Sequence, residues 1–189
     1  STVTAIEWSP LYNKRIETNI QNSSTNAKSF NFHSKENFVV TNTTGELYHF
    51  SIEGNIVKEI TCIPPDTEMS ANITCIAWKS DQVLLGDAAG QLNVWDLKKK
   101  VSKIEPPHRG AIKKLRFGPG RGNMKFLILY NDGVDRWDIK EFKLTSQLKH
   151  PRDISFKVVD IDWAASDRPI LCTSEGVILV SDMKLRQYT

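Results

Sequence analysis

Apolar residues in this chain gather in short runs separated by turn residues. Residues 73–97, ITCIAWKSDQVLLGDAAGQLNVWDL, show the pattern most plainly. ITCIAW stops at Lys79-Ser80-Asp81, QVLLG stops at Asp87-Ala88-Ala89-Gly90, and QLNVWDL closes the unit. Runs of about four to eight residues, rich in β-branched and aromatic types and bounded by Gly, Asp and Ser, predict strands. A helix would need about ten or more residues free of those breakers.

The unit recurs. TAIEW (4–8), KKLRF (113–117) and VDIDW (159–163) repeat its first run, so Ile6, Ile76, Leu115 and Ile161 stand two residues before Trp8, Trp78, Phe117 and Trp163. FVVTNTTGELYHF (38–50), LILYNDGVDRW (127–137) and ILCTSEGVILVS (170–181) repeat its hairpin. The turn glycines Gly45, Gly90, Gly133 and Gly176 are 45, 43 and 43 residues apart. A fixed period near 40–45 with several strands per unit predicts propeller blades. One unit cannot bury its own apolar faces, so units stack and share a core.

Trp95-Asp96 and Trp137-Asp138 end the hairpin of two units, with Ser181-Asp182 and Phe50-Ser51 at the matching places. On these residues the chain resembles the WD-repeat family across four repeats, everything but residues 10–37. The run from 73 to 138, above all HRGAIKKLRFGPGRGN and YNDGVDRWD, is similar to the second propeller of one branch of that family. Members of the branch are large double-propeller scaffolds linked to trans-Golgi vesicle tethering and to Hedgehog and ciliary signalling. The resemblance implies an all-β WD-repeat β-propeller of about four blade-like repeats. WD-repeat rings usually hold about seven blades, so this is expected to be an incomplete, open part of a larger propeller. An open arc exposes apolar faces at both ends, which invites dimerisation or pairing with a missing half.

Blade one is expected over 1–62, blade two over 73–104, blade three over 112–148 and blade four over 157–189, cut short in its outer strand. Trp8 and Trp78 are 70 residues apart where Trp78 and Phe117 are 39 apart. The surplus, residues 10–37, is polar and Ser/Asn-rich without a sustained period, and is expected to be an inserted loop.

Composition narrows the picture. A chain of 189 residues with five Trp and eight Phe can build one domain with a real core. A mean hydropathy of −0.36 predicts solubility. No run approaches the roughly 20 apolar residues of a membrane span, and no charged-then-apolar leader opens the chain. The chain begins at Ser1 without Met and reads as an excised piece. Cys62, Cys75 and Cys172 are odd in number and form no CxxC, so free thiols in a reducing compartment are expected. The sequons at Asn22, Asn42 and Asn72 are expected to be unused.

Many WD repeats tie a blade together with a hydrogen-bonded set of His, Asp, Ser/Thr and Trp. Blade three comes nearest, with His108, Asp132 before Gly133, and Trp137, although LILY supplies no hydroxyl. Trp95, Asp96 and Asp138 are likewise expected to stabilise the fold. Alternating with the apolar pair of the innermost strand stand Lys114 and Arg116 in blade three, and Asp160 and Asp162 in blade four. Period-two alternation and the adjacency of successive blades predict ion pairs between them. A wet central channel holding both pairs is the alternative.

Residues 98–125 carry ten Lys or Arg against Glu105 alone, a net of +9 in a chain of +3. Lys98, Lys99 and Lys100 fall in one loop, Arg121 and Lys125 in or beside the loop GPGRGN, and in a propeller those loop types share a rim. The basic rim is expected to dock acidic protein segments; a merely solvated rim carries equal weight. Nucleic acid is the weaker partner, because no aromatics are interleaved with the basic loops to stack on bases. Membrane association is expected only through partners.

Enzymatic readings fare poorly. Gly118-Pro119-Gly120-Arg121-Gly122 lacks the GKS/T ending of a phosphate loop, and Asn123 replaces the third Gly of a dinucleotide fingerprint. His33, His49, His108 and His150 show no metal spacing and no nucleophile motif. Neighbouring Lys114 and Arg116 would keep Asp160 and Asp162 ionised. The sequence therefore predicts a non-catalytic scaffold with no cofactor, metal or small-molecule substrate. By resemblance its partners are tethering-complex subunits. Its expected place is cytoplasmic, at the Golgi, trans-Golgi network and vesicles, with the cilium base and nucleus as further sites.

Overall fold

Each apolar run becomes a strand hydrogen-bonded to its neighbours in sequence. The computed structural model describes residues 2–9, 36–63, 72–150 and 157–186. β1 (Val3–Trp8), β2 (Glu36–Asn42), β3 (Leu47–Glu53) and β4 (Ile56–Ile63) form one antiparallel sheet in that order. β5 (Ile73–Lys79), β6 (Gln82–Asp87), β7 (Leu92–Asp96) and β8 (Val101–Glu105) form the second. β9 (Lys114–Phe117), β10 (Lys125–Tyr130), β11 (Gly133–Asp138) and β12 (Lys143–Lys149) form the third. β13 (Val158–Ala165), β14 (Arg168–Thr173) and β15 (Ile178–Val180) form a fourth sheet of three strands. No helix occurs among the described residues.

The insertion begins to resolve into strand earlier than its composition suggests. Glu36 and Asn37 pair with Ile52 and Ser51, so residues 36 and 37 belong to β2. The rest of the insertion and the crossing Pro64-Pro65-Asp66 lie outside the described residues.

Local chemistry explains the turns. Gly133 opens β11 at φ 140°, and a Cβ there would collide with the Leu148 carbonyl. No side chain fits that approach. In blades two, three and four an Asp at or just past the end of the third strand caps the turn that follows. Asp96 Oδ1 accepts from the N–H of Lys98 at 3.1 Å and of Lys99 at 2.9 Å, and Asp138 Oδ1 from that of Lys140 at 2.9 Å. Asp182 Oδ1 does the same for Lys184 and Arg186. These are side-chain turns of the kind Asp favours.

The innermost strands β1, β5, β9 and β13 lie side by side in that order, and no comparable packing joins β13 back to β1. The four blades thus form an open arc. Alternation gives every blade one face toward the blade before it and another toward the blade after it. Val39 and Leu47 of blade one bury Ile76, Trp78, Val83 and Leu85 of blade two. Leu84, Leu92 and Val94 bury Leu115, Phe126, Ile128 and Trp137 of blade three. Leu127, Leu129 and Val134 bury Val158, Ile161 and Leu171 of blade four. Each such side chain contributes about 1.5–3 kcal/mol when fully covered.

The repeat exposes what the ends lack. Ile76, Leu115 and Ile161 are 6%, 1% and 0% exposed, whereas their counterpart Ile6 is 55% exposed. Leu47, Leu92 and Val134 are 1%, 2% and 0% exposed, whereas their counterpart Ile178 is 67% exposed. One face of each kind is left open.

Candidate functional site

Turns leaving the innermost and the third strands emerge on one rim. The Leu97 N–H donates to the Asp81 carbonyl at 2.8 Å, and the Ile139 N–H to the Met124 carbonyl at 3.1 Å. Lys79, buried at the end of β5, donates to the Gly118 carbonyl and lies over the Phe117 ring, so it ties blade two to the turn of blade three. Its burial lowers its pKa. The glycine loop itself is a tight turn, with the Asn123 N–H on the Gly120 carbonyl and Asn123 Nδ2 on the carbonyl of Ser166 in blade four.

Lys98, Lys99, Lys100 and Arg121 are exposed on this rim, and Lys99 Nζ is 3.7 Å from the Asp96 carboxylate. Lys125 differs: it opens β10, half-buried, opposite Asp138 in the sheet. The rest of the basic stretch is dispersed. Lys103 lies over the Phe142 ring, Arg109 is buried at the other end of the blades, and Lys114 and Arg116 belong to the innermost strand. Asp81, Asp96, Asp138, Glu141 and Asp182 share the rim with the lysines. The +9 of the sequence is therefore no single patch; what remains is a local excess at Lys98–Lys100 and Arg121.

The opposite end of blade three holds a buried charge cluster that corrects the expected set. His108 Nε2 lies 3.0 Å from Asp135 Oδ2, not on Asp132. Asp135 is fully buried and also receives Arg109 and, at 3.1 Å, Gln147 Nε2. Asp132 is half exposed and takes the far side of the same guanidinium, with Nε at 2.9 Å. Arg109 stacks 4.7 Å from the Tyr130 centroid, and His108 lies 5.9 Å from that of Trp137. Trp137 Nε1 is buried without a hydrogen bond in the described residues, while its ring joins the core of blades two and three. Trp95 packs at the edge of the core of blades one and two. A sequence signal for Asp135 existed: it pairs across the sheet with Ile128 as Asn93 pairs with Leu85, so polar side chains recur two residues before the Trp.

At the innermost strands the two expected ion pairs part company. Lys114 Nζ meets Asp160 Oδ1, both partly exposed. Arg116 and Asp162 do not pair; the Asp162 carboxylate instead accepts its neighbour Trp163 N–H at 2.8 Å. The reason is phase. Ile161 and Trp163 face blade three, so Asp162 points away from it, and Asp160 comes within reach only where the β13–β14 register shifts. Burial pushes the Asp160 carboxyl up, yet hydrogen bonds from Lys114 and the Ile161 N–H, with the charge of Arg116, hold it below the usual range. Arg116 also acts on Glu7 and Cys75, so its charge is felt on all three other innermost strands. Burial raises the Cys75 thiol to about 11, which keeps it a thiol at neutral pH. The three cysteines are free. Among the described residues no group of His, Cys, Asp and Glu could hold a metal ion. Asn42 is buried, with Oδ1 accepting the N–H groups of Thr44 and Glu46. Its Nδ2 donates to the Glu46 carboxylate.

Comparison with known proteins decides the family. The model of the WDR11 second beta-propeller matches residues 3–177. The chain belongs to that family. Human WD repeat-containing protein 11 is 38% identical over 98% of this chain, which spans 18% of the relative's length. The mouse protein of the same name is 39% identical over 97% of the chain, again 18% of its length. Among solved structures, that of U3-55K superposes with a TM-score of 0.64 at 17% identity, covering 80% of this chain and 47% of the other. That likeness shows the propeller fold.

Proposed function

We propose that this chain is a non-catalytic protein-interaction scaffold whose Lys98–Lys100 and Arg121 rim docks acidic protein segments. One observation carries the reading: Lys98, Lys100 and Arg121 are exposed on the rim that gathers the turns of all the blades. Membership in a WD-repeat propeller family supports the scaffold role. The resemblance to double-propeller scaffolds carries the finer part. On this proposal the chain is a portion of a trans-Golgi vesicle-tethering protein with links to Hedgehog and ciliary signalling, working from the cytoplasm beside Golgi and vesicle membranes. Docking at such a rim is electrostatic and sensitive to ionic strength.

The test is titration of a fluorescent Asp/Glu-rich peptide across a salt series, beside a protein with Lys98, Lys99, Lys100 and Arg121 reversed to Glu. Lys125 is spared because it is built into β10. Saturable, salt-sensitive binding that the reversal abolishes supports the docking rim. Equal or tighter binding of RNA at matched charge would favour a nucleic-acid adaptor instead. Unchanged binding in the reversed protein would leave the lysines as solvated surface.

A further inference from the structure

The inner turn of blade three is unlike its equivalents. Blades two and four pass from first strand to second through residues 80–81 and 166–167 alone, whereas blade three uses residues 118–124. An exposed turn of that length containing Gly118, Gly120 and Gly122 has wide conformational freedom. This one is fixed from both flanks. From blade two, Lys79 Nζ donates to the Gly118 carbonyl and lies 5.8 Å from the centroid of the Phe117 ring. From blade four, the Ser166 carbonyl receives Asn123 Nδ2 at 3.1 Å. Within the turn the same amide reaches the Pro119 carbonyl at 3.1 Å, and Asn123 Oδ1 accepts the Lys125 N–H at 3.3 Å. The Gly118 N–H closes the base on the Lys125 carbonyl at 2.9 Å. A Cβ on Gly118 would lie 2.4 Å from Asn123 Nδ2, so the glycine makes room for the amide.

Lys79 is 6% exposed, and among the described residues its ammonium meets a carbonyl and a ring but no carboxylate. Burying a charge on such terms costs stability, and an apolar side chain of similar length would avoid that cost. What the ammonium supplies is a fixed position for the turn. Both braces converge on the loop whose exposed residue is Arg121.

We infer that Lys79 and Asn123 are positioning residues that brace this turn between blades two and four and so hold Arg121 in one place on the rim. The benefit to binding rests on the docking role proposed above: a braced Arg121 has less freedom to lose when a segment docks. The braces also tie the site to three blades, since a shift of either neighbour against blade three moves the loop.

Two variants of the 189-residue chain remove one brace each. Lys79→Met keeps an apolar stem and deletes the ammonium, while Asn123→Ala deletes the amide. Loop order is read from tryptic cutting between Arg121 and Gly122, followed by mass spectrometry, with cutting in the Lys98–Lys100 turn as the internal reference. Each variant should be cut at Arg121 about tenfold faster while the reference rate holds, because cleavage follows the population of open loop. Binding of the fluorescent Asp/Glu-rich peptide should weaken about threefold to tenfold in each. In an Arg121→Gln background the same substitutions should leave peptide affinity unchanged, an outcome that a merely structural role would not produce. Unchanged cutting at Arg121 in both variants would overturn the inference whatever the peptide does. So would equal acceleration at both sites, which marks a general loosening of the fold, or faster cutting at Arg121 with peptide affinity intact. If the wild-type chain binds no peptide, the docking role fails, while selective cutting at Arg121 still supports the braces and its absence still overturns them.

Discussion

Asp135→Asn separates the buried anchor of blade three from the surface group that resembles it. The carboxylate is 0% exposed and receives three donors: His108 Nε2 at 3.0 Å, Gln147 Nε2 at 3.1 Å, and Arg109. The Arg109 side chain is itself only 2% exposed, so it has almost no water to fall back on. Three charge-assisted bonds at about 1.5–3 kcal/mol each would suggest a loss well above 4 kcal/mol. The sum is too large, because Arg109 keeps Asp132 and the new amide oxygen still accepts one bond. Breaking one partner of a buried pair typically costs about 3–5 kcal/mol, and the lower half of that range is expected here. Asp132→Asn is the control. Its side chain is 56% exposed, and an exposed pair is worth about 0–1 kcal/mol. Urea unfolding followed by tryptophan fluorescence reads both. With a slope near 2 kcal/mol per molar, Asp135→Asn should lower the midpoint by about 1.5–2 M and Asp132→Asn by less than about 0.5 M. Equal shifts, or a larger one for Asp132→Asn, would refute the assignment of Asp135 as the anchor.

Three further outcomes are expected. Lys100 sits at φ 57°, a left-handed conformation that costs a side-chain residue free energy, so Lys100→Gly should stabilise by about 0.5–1 kcal/mol in thermal unfolding; a loss would contradict the strain. The Lys114 and Asp160 side chains are 26% and 51% exposed, so a double-mutant cycle with Lys114→Met and Asp160→Asn should give a coupling of about 0–1 kcal/mol that fades in salt. A coupling above about 2 kcal/mol would mean the channel excludes water. Burial pushes His150 below its usual 6.5, against the pull of Asp132, while its Nε2 accepts the Val158 N–H at 3.1 Å. The unfolded chain then binds protons that the folded one refuses, so stability should fall as pH drops through 6.5 and level off below the folded value. His150→Gln should flatten that slope between pH 7 and 5.5, and an unchanged slope would shift the effect to other groups.

What could be read from the sequence was whatever a local rule determines. Short bounded runs, turn glycines at a constant period and the recurring Ile/Leu-x-Trp/Phe row each follow from a few adjacent residues, and they placed four antiparallel sheets. Asp135 escaped because its role depends on a crossing two strands away. Asp132, beside the turn glycine, matched the family pattern, while Asp135 looked like an ordinary strand charge. Only the register Ile128↔Asp135, set under His108, shows which carboxylate is buried.

The way the two charge patterns are divided in the fold has one cause, the antiparallel zigzag of a blade. Lys114/Arg116 and Asp160/Asp162 occupy the same phase of equivalent strands, so both pairs point toward the following blade instead of toward each other. Opposite charges in adjacent repeats would face one another only if their phases differed by one residue, which is what the irregular register at Val158/Asp160 supplies for Asp160 alone. The basic stretch obeys the same geometry. From Lys100 the chain runs along β8 to the far end of the blades, turns at Pro106-Pro107, and returns along β9 to Arg121. Lysines adjacent in sequence are thereby divided between two ends and an innermost strand. In a repeat built of strands running back and forth, the unit of electrostatic reasoning is the set of equivalent turns, and a contiguous run of charge is a poor guide to a surface.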